Sequence, residues 1–275
     1  MHWLGLAILG ITAGFLGGAL GVVMPWRGVF FLFALPPLLA AFLLWRVVPE
    51  PPRAAAAADP AWPFRRVLSS GDFWLLGITG IMPVYVQFLL ATWGPLLFSE
   101  IGITDLGRSA SLASLQGLMA PVGLLVSGLV ADRVHRRGMH RKVVIVVAVV
   151  MTTLAMIAMG ALIQARGPAW LLTLLMLLAS FSMWCTWSPS YALVGGLFPA
   201  SVMGKAFGLY NSTCFIGAIL SPFLTGWIRD VTGSFAAGLY GVAALSVVSV
   251  VTALGIRPAF RLKEIPPAVA APRQP

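Results

Sequence analysis

Between the apolar runs of this chain, charge is most concentrated in one short segment. It reads Gly128-Leu129-Val130-Ala131-Asp132-Arg133-Val134-His135-Arg136-Arg137 and is followed by Arg141-Lys142. Long apolar runs lie on both sides. A carboxylate beside guanidiniums at the end of an apolar run can form a charge pair near a helix end, worth about 1 kcal/mol when partly exposed. Arginines alone in such a loop also fix which side of a membrane it occupies. A second carboxylate–guanidinium pair, Arg229-Asp230, ends a later apolar run. A different chemistry is offered by polar and aromatic side chains inside the runs: Tyr85, Gln87, Gln116, Trp184, Thr186, Asn211 and Thr213. A polar group in lipid is costly unless it finds a partner or faces a cavity. Each taken singly fits an interhelical hydrogen bond; taken as a set they fit a shared cavity.

Other chemistries are missing. None of the eight carboxylates falls mid-run, and His2, His135 and His140 lie outside the runs. A proton relay needs a titratable group at depth, so the runs offer no such relay. There is no HExxH, no GxSxG and no paired buried carboxylate, which argues against an enzyme. Cys185 and Cys214 form no CxxC pair, and no metal or cofactor is expected. They read as small packing residues.

The elements that carry these groups follow from composition. The chain has 275 residues, of which 59% are hydrophobic and 9% charged. A soluble domain carries about a quarter charged residues, so this chain needs lipid as its solvent. Its net charge of +10 raises a nucleic-acid partner, but basic residues between apolar runs make no basic face for one. A transmembrane helix needs ~20 apolar residues. Eight spans are expected, at about 3–24, 28–47, 73–98, 110–131, 143–163, 169–191, 204–227 and 235–256. The first has no basic n-region and reads as a retained helix rather than a signal peptide. Its glycines, Gly10, Gly14, Gly17, Gly18 and Gly21, fit close or sliding helix contacts. The proline- and alanine-rich stretch 48–72 reads as a surface linker.

With Met1 inside, fourteen of the 18 Lys and Arg residues fall on the inner side. Both termini are therefore expected in the cytoplasm, in a bacterial inner membrane. Spans 110–131 and 204–227 both end small residue, Gly, three residues, Asp (Ser127-Gly128 to Asp132; Thr225-Gly226 to Asp230). Pro121 and Pro222 lie a few residues earlier. Two such ends on opposite faces suit an inverted repeat of three helices.

The cluster Gly128, Asp132, Arg133, Arg136, Arg137 resembles the cytoplasmic signature loop of the major facilitator superfamily. The family pattern is Gly, three residues, Asp, basic, any, Gly, basic, basic; this chain departs from it with His135 in place of Gly. Trp26-Arg27-Gly28-Val29-Phe30 is similar to the family's outer turn before its sixth helix, and Pro49-Glu50-Pro51-Pro52-Arg53 to the start of its central loop. The resemblance implies an all-α polytopic fold. Residues 1–47 would be the last two helices of the N-terminal bundle, 48–72 the cytoplasmic linker, 73–256 the C-terminal six-helix bundle and 257–275 a cytoplasmic tail. About four helices would be missing at the front. Gly14-Phe15 stands where some proton antiporters of the family carry Gly-Pro, so that subgroup is not indicated.

What the resemblance implies for function is a secondary transporter working by alternating access on a small organic solute, with a coupling ion as a further partner. Asp132 and the arginines would be a cytoplasmic latch. Tyr85, Gln87, Gln116, Trp184, Thr186, Asn211 and Thr213 would line the substrate cavity. Trp93, Pro95, Arg229 and Asp230 would belong to an outer gate or turn. Thr92-Trp93-Gly94-Pro95 and Asp230-Val231-Thr232-Gly233-Ser234 are similar to the organic-anion branch. No basic residue lies mid-span to hold an anion. The missing helices also admit a different expectation: a non-transporting remnant or interaction subunit that pairs with a second chain.

Overall fold

A backbone in lipid must satisfy its own polar groups, and a helix does so within one segment. The computed structural model describes residues 25–47 and 64–257, and every regular element among them is helical. The first span is α1 (Trp26–Val47). A short α2 (Arg65–Leu68) precedes α3 (Gly71–Thr79) and α4 (Ile81–Glu100), which together form the second span. The third is α5 (Leu106–Ser114), a 3-10 turn (Leu115–Leu118) and α6 (Met119–Arg136). An unbroken α7 (Lys142–Gln164) follows. The fifth span is α8 (Ala169–Trp184) with α9 (Trp187–Leu197), and the sixth α10 (Ala200–Cys214) with α11 (Ile216–Thr232). The last, α12 (Phe235–Gly255), is again unbroken.

Among the described residues, seven segments are thus long and apolar enough to cross a membrane. They match seven of the eight expected spans; the span at 3–24 and most of the 48–72 linker lie outside the described residues. Most helices overrun the expected ends, as at Leu106–Arg136 against 110–131, where charged and polar residues continue the helix past its apolar stretch.

The six spans after α2 form one bundle. α12 lies along α7 and α3, α11 along α4, and α8 between α7 and α6. Close approach is set by small residues. A Cβ at Gly217 would strike the Ile81 carbonyl and the Tyr85 nitrogen, so α11 sits backbone-close on α4. At Gly80, where α3 gives way to α4, the Cys214 sulfur fills the space a side chain would need. α1 differs: Phe31 and Trp45 are 77% and 79% exposed, a surface for lipid or further helices.

Each end of the bundle is tied. At the end rich in arginine, the Asp72 carboxylate accepts the Arg257 N–H at 3.1 Å, and Phe73 meets Phe198 edge-on at 5.7 Å. There too Lys142 Nζ donates to the Leu254 and Ile256 carbonyls at 2.9 and 2.7 Å. At the opposite end Glu100 Oε1 accepts the Phe235 N–H at 2.8 Å, and Oε2 accepts the Ser234 hydroxyl at 2.7 Å.

Candidate substrate site and signature loop

The fifth span breaks at Cys185 and Thr186, between α8 and α9. Trp184, Trp187 and Tyr191 fall on one face across that break. Their rings follow one another, with centroids 6.2 Å apart for Trp184–Trp187 and 5.5 Å for Trp187–Tyr191. α10 supplies Phe207, Tyr210 and Asn211, spaced to share a helix face. Tyr191 lies 5.4 Å from Phe207 and 5.8 Å, edge-on, from Tyr210. Its hydroxyl donates to Asn211 Oδ1 at 2.9 Å. The result is an aromatic wall with a polar rim. Trp184, Tyr191 and Asn211 are only half-buried.

Of the expected cavity residues, Trp184 and Asn211 join this group. Gln87 on α4 is half-buried, and its amide has no hydrogen-bond partner among the described residues. The other four are engaged in packing. Tyr85 bonds Thr225 at 2.9 Å between α4 and α11. Gln116 donates to the Leu90 carbonyl at 3.0 Å and accepts from Ser180 at 2.9 Å through its own carbonyl. Thr186 and Thr213 donate back to Met183 and Leu209, at 2.8 and 2.9 Å. Trp187, Tyr191, Phe207 and Tyr210 were not singled out in the sequence. An aromatic residue in an apolar run carries no mark of whether it faces lipid, core or cavity.

The expected outer group is assembled from three helices. Trp93 packs on Phe235 at 5.2 Å and against Gly226, which has no side chain to obstruct it. The Trp93 indole nitrogen is buried without a hydrogen-bond partner among the described residues. Pro95 lies within α4. The Arg229 guanidinium stands 5.5 Å over the Phe235 ring and 3.7 Å from Asp230. Glu100 belongs to this end as well and was missed; no local pattern connects it with a serine 134 positions away.

In the signature loop Gly128 packs near Ser188, and Asp132 pairs with Arg141 at 3.1 Å. Arg133, Arg136 and Arg137 are exposed. His135, at the family's glycine position, is helical. The turn is made instead at Gly138, with φ +78°, a conformation that favours glycine. Burial, with Lys142, His135 and Arg141 nearby, lowers the pKa of His140, which accepts the Lys142 N–H at 3.2 Å. Among the described residues no group of three His, Cys, Asp or Glu side chains is placed to hold a metal.

A bundle of membrane-crossing helices, several of them broken, defines a polytopic integral membrane protein. The family model of the Major Facilitator Superfamily matches residues 1–222, and the chain belongs to that family. It is 24% identical to the hexuronate transporter of Bacillus subtilis (strain 168), over 95% of this chain and 66% of that protein. It is 30% identical to the D-galactonate transporter of Escherichia coli O6:H1, over 67% of this chain and 44% of that one. Among solved structures it resembles an inward-facing, unoccupied bacterial homolog of the human lysosomal transporter Spinster. That match has a TM-score of 0.57 and 16% identity, and covers 84% of this chain and 56% of that one. The matches thus span 44% to 66% of these three proteins.

Proposed function

We propose that this chain belongs to a secondary transporter for a hydroxylated carboxylic acid of the sugar-acid type, working by alternating access. The observation that carries the reading is the Tyr191–Asn211 hydrogen bond at 2.9 Å on the rim of an aromatic wall. Aromatic faces suit the C–H surface of a sugar-derived chain, and amide and phenol groups match its hydroxyls. Two relatives named for a hexuronate and for D-galactonate support the class. Asn211 lies about 15 Å along its span from Ser201, at the rise of a helix, deep enough to meet a solute in mid-membrane. Gln87 is a further amide for the same solute. Among the described residues no Lys, Arg or His shares this depth. The substrate carboxylate therefore takes its counter-charge from the rest of the carrier.

The arginine-rich end of the bundle faces the cytoplasm in this reading, in keeping with the positive-inside rule. There the Asp132–Arg141 pair acts as the latch of one transport state. The breaks at Gly80, Leu115–Leu118 and Cys185–Thr186 let spans bend while α7 and α12 stay straight. The test is binding of galactonate and glucuronate to the purified chain, followed by tryptophan fluorescence, with uptake into proteoliposomes alongside. Saturable quenching that Asn211→Ala weakens about tenfold supports the site. Quenching unchanged in Asn211→Ala and Gln87→Ala sinks it. Binding without uptake assigns the chain to a carrier completed by another segment or second chain.

A further inference from the structure

The cationic groups of the loop between α6 and α7 divide by what they touch. Arg141 is held by Asp132 at 3.1 Å. Lys142 Nζ is taken by the Leu254 and Ile256 carbonyls. Arg133, Arg136 and Arg137 are exposed, and their guanidiniums have no partner among the described residues. Nor does the end of α6 need them as caps. The Arg137 N–H bonds the Arg133 and Val134 carbonyls, each at 3.2 Å, the Gly138 N–H bonds His135 at 3.0 Å, and the Met139 N–H bonds Val134 at 3.1 Å. Backbone closure of this kind leaves few helix-end carbonyls for a cation to serve.

The three arginines stand at i, i+3 and i+4 and share a face of α6. One to three turns earlier the same face carries Val122, Leu125, Val126 and Leu129, exposed by 42%, 63%, 39% and 68%. An apolar face ending in unpaired guanidiniums, where a membrane span reaches the headgroup layer, matches a phosphate joined to acyl chains. A helix of this chain would fit less well: residues 1–24 are apolar but contain no Asp or Glu to meet the arginines.

We infer that Arg133, Arg136 and Arg137, with the Leu125–Leu129 face of α6, hold an anionic phospholipid. The guanidiniums take the phosphate through forked hydrogen bonds, and an acyl chain lies along Leu125 and Leu129. Each arginine near an anionic headgroup contributes about a fivefold gain in affinity. The inference concerns binding alone and stands or falls apart from the substrate reading.

The experiment titrates the purified chain in detergent with dioleoylphosphatidylglycerol or dioleoylphosphatidylcholine and counts retained lipid by native mass spectrometry. The wild-type chain is expected to prefer the glycerol lipid by about tenfold or more. Arg133→Gln/Arg136→Gln/Arg137→Gln should bring the two lipids near parity. Arg65→Gln/Lys205→Gln, which removes cations at the same end of the bundle but on α2 and α10, should keep the preference. If the triple variant does not fold, the three single variants replace it, each with a loss of about fivefold. The lipid assignment is overturned if the wild type shows no preference, which leaves the arginines to a protein partner. It is also overturned if the triple variant keeps the preference, or if the control pair loses it equally. Excess glycerol 3-phosphate carries the charge without the chains; if it displaces the lipid completely, the site binds a free phosphate and the assignment again fails.

Discussion

Glu100 ends α4, and its Oε1 accepts the backbone N–H of Phe235 at 2.8 Å while Oε2 accepts the Ser234 hydroxyl at 2.7 Å. The last span thus starts against a carboxylate from the second. A helix's first N–H groups have no partner of their own and carry partial positive charge. Ser234 already accepts the Ala236 N–H at 3.1 Å, so two side chains share one helix start. The Glu100→Ala variant is expected to lose about 1.5–3 kcal/mol, the range for a hydrogen bond to a charged group. Glu100→Gln should lose less, since an amide oxygen still accepts. Thermal unfolding of the purified chain in one detergent checks the order; equal stability for all three chains would show that the clasp contributes nothing.

A second expectation concerns how closely α11 approaches α4. At Gly217 a Cβ would meet the Ile81 carbonyl and Tyr85 nitrogen, both backbone atoms that cannot turn aside. At Gly195, within α9, it would meet nothing within 4 Å. Overpacking of this sort costs about 1–3 kcal/mol, whereas alanine for glycine in an open helical position is neutral to favourable by up to ~1 kcal/mol. Gly217→Ala should therefore lower the melting temperature and Gly195→Ala should not. The same shift in both would mean that the α4–α11 contact is looser than its geometry.

These two sites also show what a reader of the sequence can and cannot see. Spans are legible because lipid demands long apolar runs, and seven of the expected eight are found among the described residues. Their breaks are not legible. Gly80 interrupts the second span where the Cys214 sulfur occupies the space beside it, a contact between positions 134 apart. Asn211 and Trp184 stood out because amides and indoles are costly in lipid. Tyr191, which joins them, is one more aromatic residue in an apolar run until Phe207, Tyr210 and Asn211 are placed around it. The signature-loop pattern gave the residues but not the pairing. It set Asp132 beside Arg133, Arg136 and Arg137, and the fold selects Arg141, which lies beyond the pattern.

His140 gives the loop a pH dependence of definite sign. Burial lowers its pKa below the usual histidine value, and Lys142, His135 and Arg141 push the same way. The folded chain thus favours the neutral ring, whose Nδ1 accepts the Lys142 N–H. Below the ordinary histidine pKa of about 6.5 the unfolded chain binds the proton more readily than the folded one. Stability from this group is therefore present above that pH and lost as pH falls toward the folded value. Melting temperatures measured from pH 7.5 to 5 should decline more for the wild type than for His140→Gln. Parallel curves would remove His140 as the cause.

Asp132 has several arginines within reach along the chain, yet it pairs with Arg141, from beyond the Gly138 turn, at 3.1 Å. The carboxylate is 56% exposed and the guanidinium side chain 27% exposed, so solvent screens the pair. A coupling of about 0.2–1 kcal/mol is the scale for such a contact, to be measured in a double-mutant cycle of Asp132→Asn with Arg141→Gln. The parallel cycle with Arg133→Gln should give no coupling beyond error, since the ion pair of Asp132 among the described residues is with Arg141. High salt should shrink the first value and leave the second unchanged. The latch proposal makes one further demand. A pair made in one transport state and absent in another must shift their balance, so Asp132→Asn should change which end of the substrate path a cysteine reagent reaches. Coupling without any change in accessibility would leave Asp132–Arg141 as a tie that only fixes the loop.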